Sequence, residues 1–226
     1  MFNNTSRAFL RFAMESGVLR FGQFQTKAGR QSPYFFNAGG FDNGHVMARL
    51  GAYYAETIQQ SDLPMDMIFG PAYKGIPLAV ATTIALSNQY NLKIPFAFNR
   101  KESKDHGEGG NLIGAPLQGR VLIIDDVISA GTSVGESVAW IQKAGATPSG
   151  VLIALDRQEQ GLHSTAGAIQ EVRERFGLPV IAIACLADLI LLLENDPDHI
   201  KHLPAILAYK NRYGIEQKYD ALRAKD

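Results

Sequence analysis

The stretch Val121-Leu122-Ile123-Ile124-Asp125-Asp126-Val127-Ile128-Ser129-Ala130-Gly131-Thr132-Ser133 decides how this chain folds. Four consecutive apolar residues suit a strand buried on both faces, the pattern of a parallel sheet covered by helices. Two carboxylates follow at the strand's carboxyl end. A turn of small and hydroxyl-bearing residues comes next. The spacing of Val134, Val138 and Ile141 then marks a helix that begins near Ser133 and stops at Gly145. The N–H groups of a helix N-terminus, with the hydroxyls of Ser129, Thr132 and Ser133, make a cradle for a phosphate, and Gly131 permits close backbone approach. Asp125 and Asp126 cannot face that same phosphate without repulsion. They suit sugar hydroxyls, or a hydrated magnesium ion, beside it. A capped turn with incidental acids is the bland reading. A Walker B strand is ruled out, because no G-x-x-x-x-G-K-[ST] occurs in the chain.

Outward from this stretch, apolar strands alternate with helices. Asp66-Met67-Ile68-Phe69 reads as a strand ending at Gly70-Pro71, followed by a helix with Ile76, Val80 and Ile84 spaced by four. Ile94–Phe98, Val151–Leu155 and Val180–Ala184 read as further strands, and a helix runs from about Ala166 to Phe176. The strands are continuous apolar runs rather than alternating ones. The expected fold is therefore α/β: an open, doubly wound, mainly parallel sheet with ligands at the carboxyl ends of its strands. Before it, Asn4–Ser16 reads as a helix, and Val18–Ala38 as two short strands joined by the turn Lys27-Ala28-Gly29-Arg30. One domain is expected, with a helix and small N-terminal hood over residues 1–42, a Rossmann-like core over 43–194 and a C-terminal helical segment over 195–226.

Composition narrows the partners. Lys+Arg and Asp+Glu are 22 each, so no global field attracts nucleic acid or an anionic membrane. An anionic ligand then needs a local basic cluster. The single cysteine, Cys185, forbids an intrachain disulfide and reads as a buried strand residue. The N-terminal residues lack a charged region followed by an apolar one, and Val180–Leu193 is broken by Asp188 and too short to span a bilayer. A cytoplasmic protein is expected. His199 and His202 lack a third ligand and read as a solvated helix face, and Trp140 as packing its helix on the sheet.

Two more loops carry chemistry. Gly70-Pro71-Ala72-Tyr73-Lys74-Gly75 puts backbone amides and a cation at a strand end before a helix, which suits a pyrophosphate. Asn99 to Asn111 holds Arg100, Lys101, Lys104 and His106 among three glycines with no apolar anchor, as a lid that closes over pyrophosphate would. In the hood, Phe35 and Phe36 are rings that could stack on a flat base, with packing of the hood as the alternative.

The quoted thirteen residues resemble the phosphoribosyl-pyrophosphate signature of type I phosphoribosyltransferases. Lys27, Ser32 to Asn37, Gly70 to Lys74, Phe98 to Gly110 and Leu155-Asp156-Arg157-Gln158-Glu159 resemble orotate phosphoribosyltransferases in particular, so that the likeness runs from about Phe9 to Tyr213. Ser129 departs from the threonine usual in bacterial relatives but keeps the hydroxyl. The resemblance implies transfer of ribose 5-phosphate from 5-phosphoribosyl 1-pyrophosphate to orotate, with Mg2+, in UMP biosynthesis. It assigns the ribose hydroxyls to Asp125 and Asp126, the 5-phosphate to Val127, Ile128, Ser129, Ala130, Gly131, Thr132 and Ser133, and the diphosphate to Tyr73 and Lys74. Arg100, Lys101, Lys104 and His106 follow from the lid, with Lys104 catalytic beside the two acids. Orotate falls to Lys27, Phe35, Phe36, Ser129 and Arg157, and Lys27 also borders the phosphoribosyl pyrophosphate. Magnesium is carried mainly by the substrate, with Asp125 or Asp126 reaching it through water. The Ala72–Tyr73 peptide is the candidate for the unusual cis bond found in that loop. A homodimer with a shared lid is implied, with no nucleic acid and no membrane as partner. The rivals are a purine phosphoribosyltransferase and a non-catalytic regulator that binds phosphoribosyl pyrophosphate.

Overall fold

Alternate residues of each apolar run feed two different cores. The structure, a computed structural model, describes residues 4–26, 28–101, 111–128, 131–161 and 165–215. In chain order its elements are α1 (Asn4–Glu15), β1 (Leu19–Gln25), β2 (Gln31–Phe36), α2 (Gly44–Gln60), β3 (Met67–Phe69), α3 (Gly75–Tyr90), β4 (Phe96–Asn99) and β5 (Leu112–Gly114). They continue with β6 (Arg120–Asp125), α4 (Thr132–Lys143), β7 (Thr147–Asp156), α5 (Ala168–Phe176), β8 (Val180–Cys185), α6 (Leu186–Glu194) and α7 (Leu203–Tyr213). In β6, Leu122 and Ile124 join the core under α1, α2, α3, α6 and α7, whereas Val121 and Ile123 join the core under α4 and α5. β7 divides in the same way, Leu152 and Ala154 from Val151 and Ile153. Burial on both faces is why these strands carry no alternation of polar residues.

The six-stranded sheet has the order β5-β4-β3-β6-β7-β8, and only the pairing of β4 with β5 is antiparallel. From β3 the chain winds outward to β4 and β5, then returns to the far side of β3 as β6. The strand order reverses between β3 and β6, the switch point at whose carboxyl ends such sheets form their ligand crevice. β1 and β2 form a separate antiparallel hairpin, the expected hood.

Two expectations are corrected. The strand signal missed β5, which is three residues long and pairs Asn99 with Leu112 across from β4. The stripe Ile76, Val80 and Ile84 does not face the core. Ile84 is 55% exposed, and the buried face of α3 is Leu78, Ala79, Thr82, Thr83, Ala85 and Leu86. The cause is close packing against α2: a Cβ on Gly51 would come within 2.4 Å of the Ala81 carbonyl oxygen, so small residues line that contact and the branched ones turn outward. Cys185 is buried at the end of β8, as expected, and its thiol donates to Asp188 at 3.2 Å.

Candidate active site

The β3–β6 crevice brings together two loops that sequence reading treated separately. Asp125 ends β6 and Asp126 follows it; they are 8% and 5% exposed. Lys74, at the start of α3, reaches across so that its Nζ lies 2.5 Å from Asp126 Oδ2. Asp126 Oδ1 accepts from the Val127 N–H at 2.9 Å, and the Asp126 carbonyl accepts from Ala154 and Leu155 of β7. Asp125 accepts from the Asp126 N–H and from the Ser133 hydroxyl, each at 2.9 Å. Its main-chain carbonyl accepts from the hydroxyl of Tyr54 at 2.8 Å, and Tyr54 is fully buried in α2. Burial, then the charges of Asp126 and Asp125, holds the Tyr54 hydroxyl well above its usual pKa, so it stays a donor.

Burial, with the like charge of Asp126 next, raises the Asp125 carboxyl to about 6 against the opposing hydrogen bonds from Asp126 and Ser133. Gly131, at φ 67°, stands at the cap position of α4 with no side chain to cap it. The first N–H groups of the helix are thus left to an anion. Ser133 departs from expectation in one respect: its hydroxyl serves Asp125, so its contribution to a phosphate cradle is the main-chain N–H. Val127 and Ile128 are half-buried, each packed against one core.

The Gly70–Gly75 loop is built on close backbone approach. A Cβ on Gly70 would stand 2.1 Å from the Gly75 carbonyl oxygen, and one on Gly75 would meet Pro71 Cδ at 2.6 Å. The Ala72–Tyr73 peptide is cis. Asn99, buried at the end of β4, accepts from the Ala72 N–H at 2.9 Å and so ties this loop to the start of the basic segment. Tyr73 is 63% exposed, and the Lys101 ammonium lies 5.3 Å from its ring centroid. The Arg100 N–H donates to Asn111 across the β4–β5 hairpin at 2.7 Å. Lys104 and His106, with the rest of 102–110, lie outside the described residues, as do Lys27, Ser129 and Ala130.

Arg157 follows β7, the strand next to β6. Its Nε donates to Glu159 at 2.8 Å, its Nη2 to the buried Ser32 hydroxyl at 3.1 Å, and the guanidinium lies 4.4 Å from the Tyr34 ring centroid. Strand alternation splits the two phenylalanines of the hood. Phe36 lies on the same side of β2 as Ser32 and Tyr34, is 8% exposed and packs on Phe9 and Phe41. Phe35 lies on the other side, stacked on Phe24 at 5.4 Å with the Arg20 guanidinium 6.0 Å from its ring. The idea that both rings stack on one flat base is thereby corrected: they belong to opposite faces. Sequence reading gave no role to Tyr54, Asn99, Ser32, Tyr34, Arg30 or Glu159. Arg30, Ser32, Tyr34, Asn99 and Glu159 lay within segments singled out there without a part of their own, and Tyr54 lay in none.

The same corner has counterparts in known proteins. A family model described as a phosphoribosyl transferase domain matches residues 41–175. An orotate phosphoribosyltransferase of Chromobacterium violaceum is 59% identical over 208 residues, spanning 92% of this chain and 96% of that protein. One from Pseudomonas aeruginosa is 57% identical over 209 residues, spanning 92% and 98%. The crystal structure of the Francisella tularensis orotate phosphoribosyltransferase superposes with a TM-score of 0.83 at 39% identity, covering 92% of this chain and 99% of that one.

Proposed function

The chain belongs to the orotate phosphoribosyltransferase family, a family of pentosyltransferases, and on that premise we propose how its residues carry the reaction. A ring nitrogen of orotate attacks the anomeric carbon of 5-phosphoribosyl 1-pyrophosphate, the bond to the diphosphate oxygen breaks, and orotidine 5'-monophosphate and pyrophosphate result. The nitrogen can attack as its anion, so no strong general base and no protein nucleophile is required. Positioning and electrostatics then supply most of the acceleration. The product places the reaction in pyrimidine biosynthesis, and we place the enzyme in the cytoplasm; no described helix is long and apolar enough to cross a membrane.

The observation that carries this reading is the Lys74–Asp126 contact across the topological switch. One side of it suits a diphosphate and the other a ribose hydroxyl. On binding, the diphosphate takes Lys74, and the 2- and 3-hydroxyls of the ribose donate to Asp126 and Asp125. The 5-phosphate sits on the main chain of Val127 to Ser133 at the start of α4. Tyr73, Arg100 and Lys101 flank the diphosphate, and Lys104 and His106 close on it. Arg157, Lys27, Ser129 and Phe35 hold the orotate, whereas Phe36 packs on Phe9 and Phe41.

The donor set fits magnesium carried by the substrate. Both acids already accept hydrogen bonds, Asp125 from Asp126 and Ser133 and Asp126 from Val127. Asp125 or Asp126 would hold the hydrated ion through water. When bound, the ion offsets charge on the departing diphosphate.

We also propose a two-fold dimer with a shared lid. The exposed Ile84, with the half-buried Ile76 and Val80 beside it, supports it, since α3 follows directly on Lys74 and a second copy seated there would border the diphosphate corner. Mixing Lys104→Ala with Asp126→Ala subunits should then restore about a quarter of wild-type activity, because half of the random pairs carry one intact site. No recovery in proven mixed dimers would assign each lid to its own chain. The reaction itself is tested by loss of orotate absorbance on mixing the protein with phosphoribosyl pyrophosphate and magnesium. A better rate with uracil or hypoxanthine would overturn the choice of base.

A further inference from the structure

Arg157 is held before any base arrives. Its Nε donates to Glu159 Oε1 at 2.8 Å, and its Nη2 lies 2.6 Å from that oxygen while also donating to Ser32. Tyr34 backs the guanidinium plane. The Nε and Nη2 donors are engaged in this way, and the Tyr209 side chain of α7 lies beside both Arg157 and Glu159. Glu159 is itself held from behind: its Oε2 lies 3.7 Å from Arg30 Nη1. Arg30 donates to the carbonyls of Gln160 and Gly161 at 2.9 and 3.0 Å, and its guanidinium lies 4.9 Å from the Tyr213 ring centroid in α7. Arg30 also closes the hood turn, because its carbonyl accepts from the Thr26 N–H at 2.9 Å and its own N–H donates to the Thr26 hydroxyl at 3.1 Å.

The three charged side chains are 13–20% exposed. Solvent therefore screens them poorly, and loss of the central carboxylate leaves two arginines without their counter-charge. A guanidinium recognises an anion by the direction of its N–H fork as much as by its charge. Freed from Glu159, Arg157 would keep its charge and lose its direction.

We infer that Glu159, backed by Arg30, is a positioning residue for base recognition: it fixes which edge of Arg157 is offered to the anionic base and ties the hood turn to that arginine. The inference rests on the assignment of Arg157 to orotate.

The test is a steady-state comparison of Glu159→Gln, Glu159→Ala, Arg157→Ala and the double variant Arg157→Ala/Glu159→Gln, with thermal midpoints for each. Glu159→Gln keeps the shape and one acceptor oxygen, so it serves even where Glu159→Ala does not fold. KM for orotate should rise about tenfold in Glu159→Gln, the scale of one charge-assisted hydrogen bond, while KM for phosphoribosyl pyrophosphate stays within about twofold. With Arg157 already gone, Glu159→Gln should add nothing further. Equal changes in both KM values would mean a merely structural role and overturn the inference. So would multiplying effects in the double variant, or an unchanged orotate KM in Glu159→Gln when Arg157→Ala raises it. An unchanged orotate KM in Arg157→Ala would instead sink the assignment of that arginine to the base.

Discussion

The ribose–diphosphate corner, after β3 and β6, and the base corner, after the neighbouring β7, are built in opposite ways. At the ribose corner, Asp125 takes its hydrogen bonds from Asp126 and Ser133, one and eight residues away in the chain. At the base corner, Arg157 meets Ser32 across 125 residues, and Arg30 meets Gln160 across 130. The acids and phosphate turn of the first are a strand end, a turn and a helix start, whose geometry is set by the local backbone, and only Lys74 and Tyr54 reach them from 52 and 71 residues away. The second exists only because the hood hairpin is laid over the end of β7. A contiguous site can be damaged by one backbone change, whereas an assembled one is tuned by the side chains that tie its parts together.

The largest contrast concerns glycines. Gly75→Ala drives a Cβ into Pro71 and the Gly70 backbone, with contacts of 2.6 and 2.7 Å. Stability should fall by about 3 kcal/mol or more, since backbone rather than a side-chain tip must move. Gly29→Ala, in the hood turn, meets nothing within 4 Å and carries only the strain of φ +74°, about 1 kcal/mol. Thermal denaturation of both variants measures the difference, and equal losses would contradict the claim that the two corners rest on different supports.

Next in size are the two acids. Asp125→Asn and Asp126→Asn should each lower kcat/KM for phosphoribosyl pyrophosphate by the equivalent of about one to three kcal/mol, roughly fivefold to 150-fold. KM for orotate should change far less, because the base corner shares none of these bonds. Full activity in both variants would remove the acids from the site.

The raised pKa of Asp125 sharpens the comparison with pH. The ribose hydroxyls need its carboxylate, so kcat/KM should fall about tenfold per unit as pH drops below about 6. Stability should move the other way. The native state opposes ionisation of this group, so its contribution is fully present below the ordinary value of 3.8 and is lost as pH rises through about 6. Asp126→Asn removes a like charge and should shift the activity limb to lower pH. A limb that stays in place would mean that burial alone sets it.

The smallest effect belongs to the buried prop. Tyr54→Phe removes the hydroxyl bound to the Asp125 carbonyl and should cost about 1 kcal/mol of stability. A several-fold loss in kcat/KM for phosphoribosyl pyrophosphate should accompany it, with orotate KM unchanged. Loss of stability with no kinetic change would make Tyr54 a core residue only.

Local sequence determined the strand runs, the acids and phosphate turn after β6, and the Lys74 loop, because each depends on neighbours along the chain. The stripe on α3 misled for the converse reason: its period marks an apolar face, but only the α2 packing decides which face is inside. Tertiary structure alone set Lys74 against Asp126, placed Tyr54 and Asn99 behind the loops, and put Phe35 and Phe36 on opposite sides of β2. It also gave Glu159 two arginines to hold. Those contacts join elements that are distant in sequence, and side-chain spacing along one element says nothing about which element will cross it.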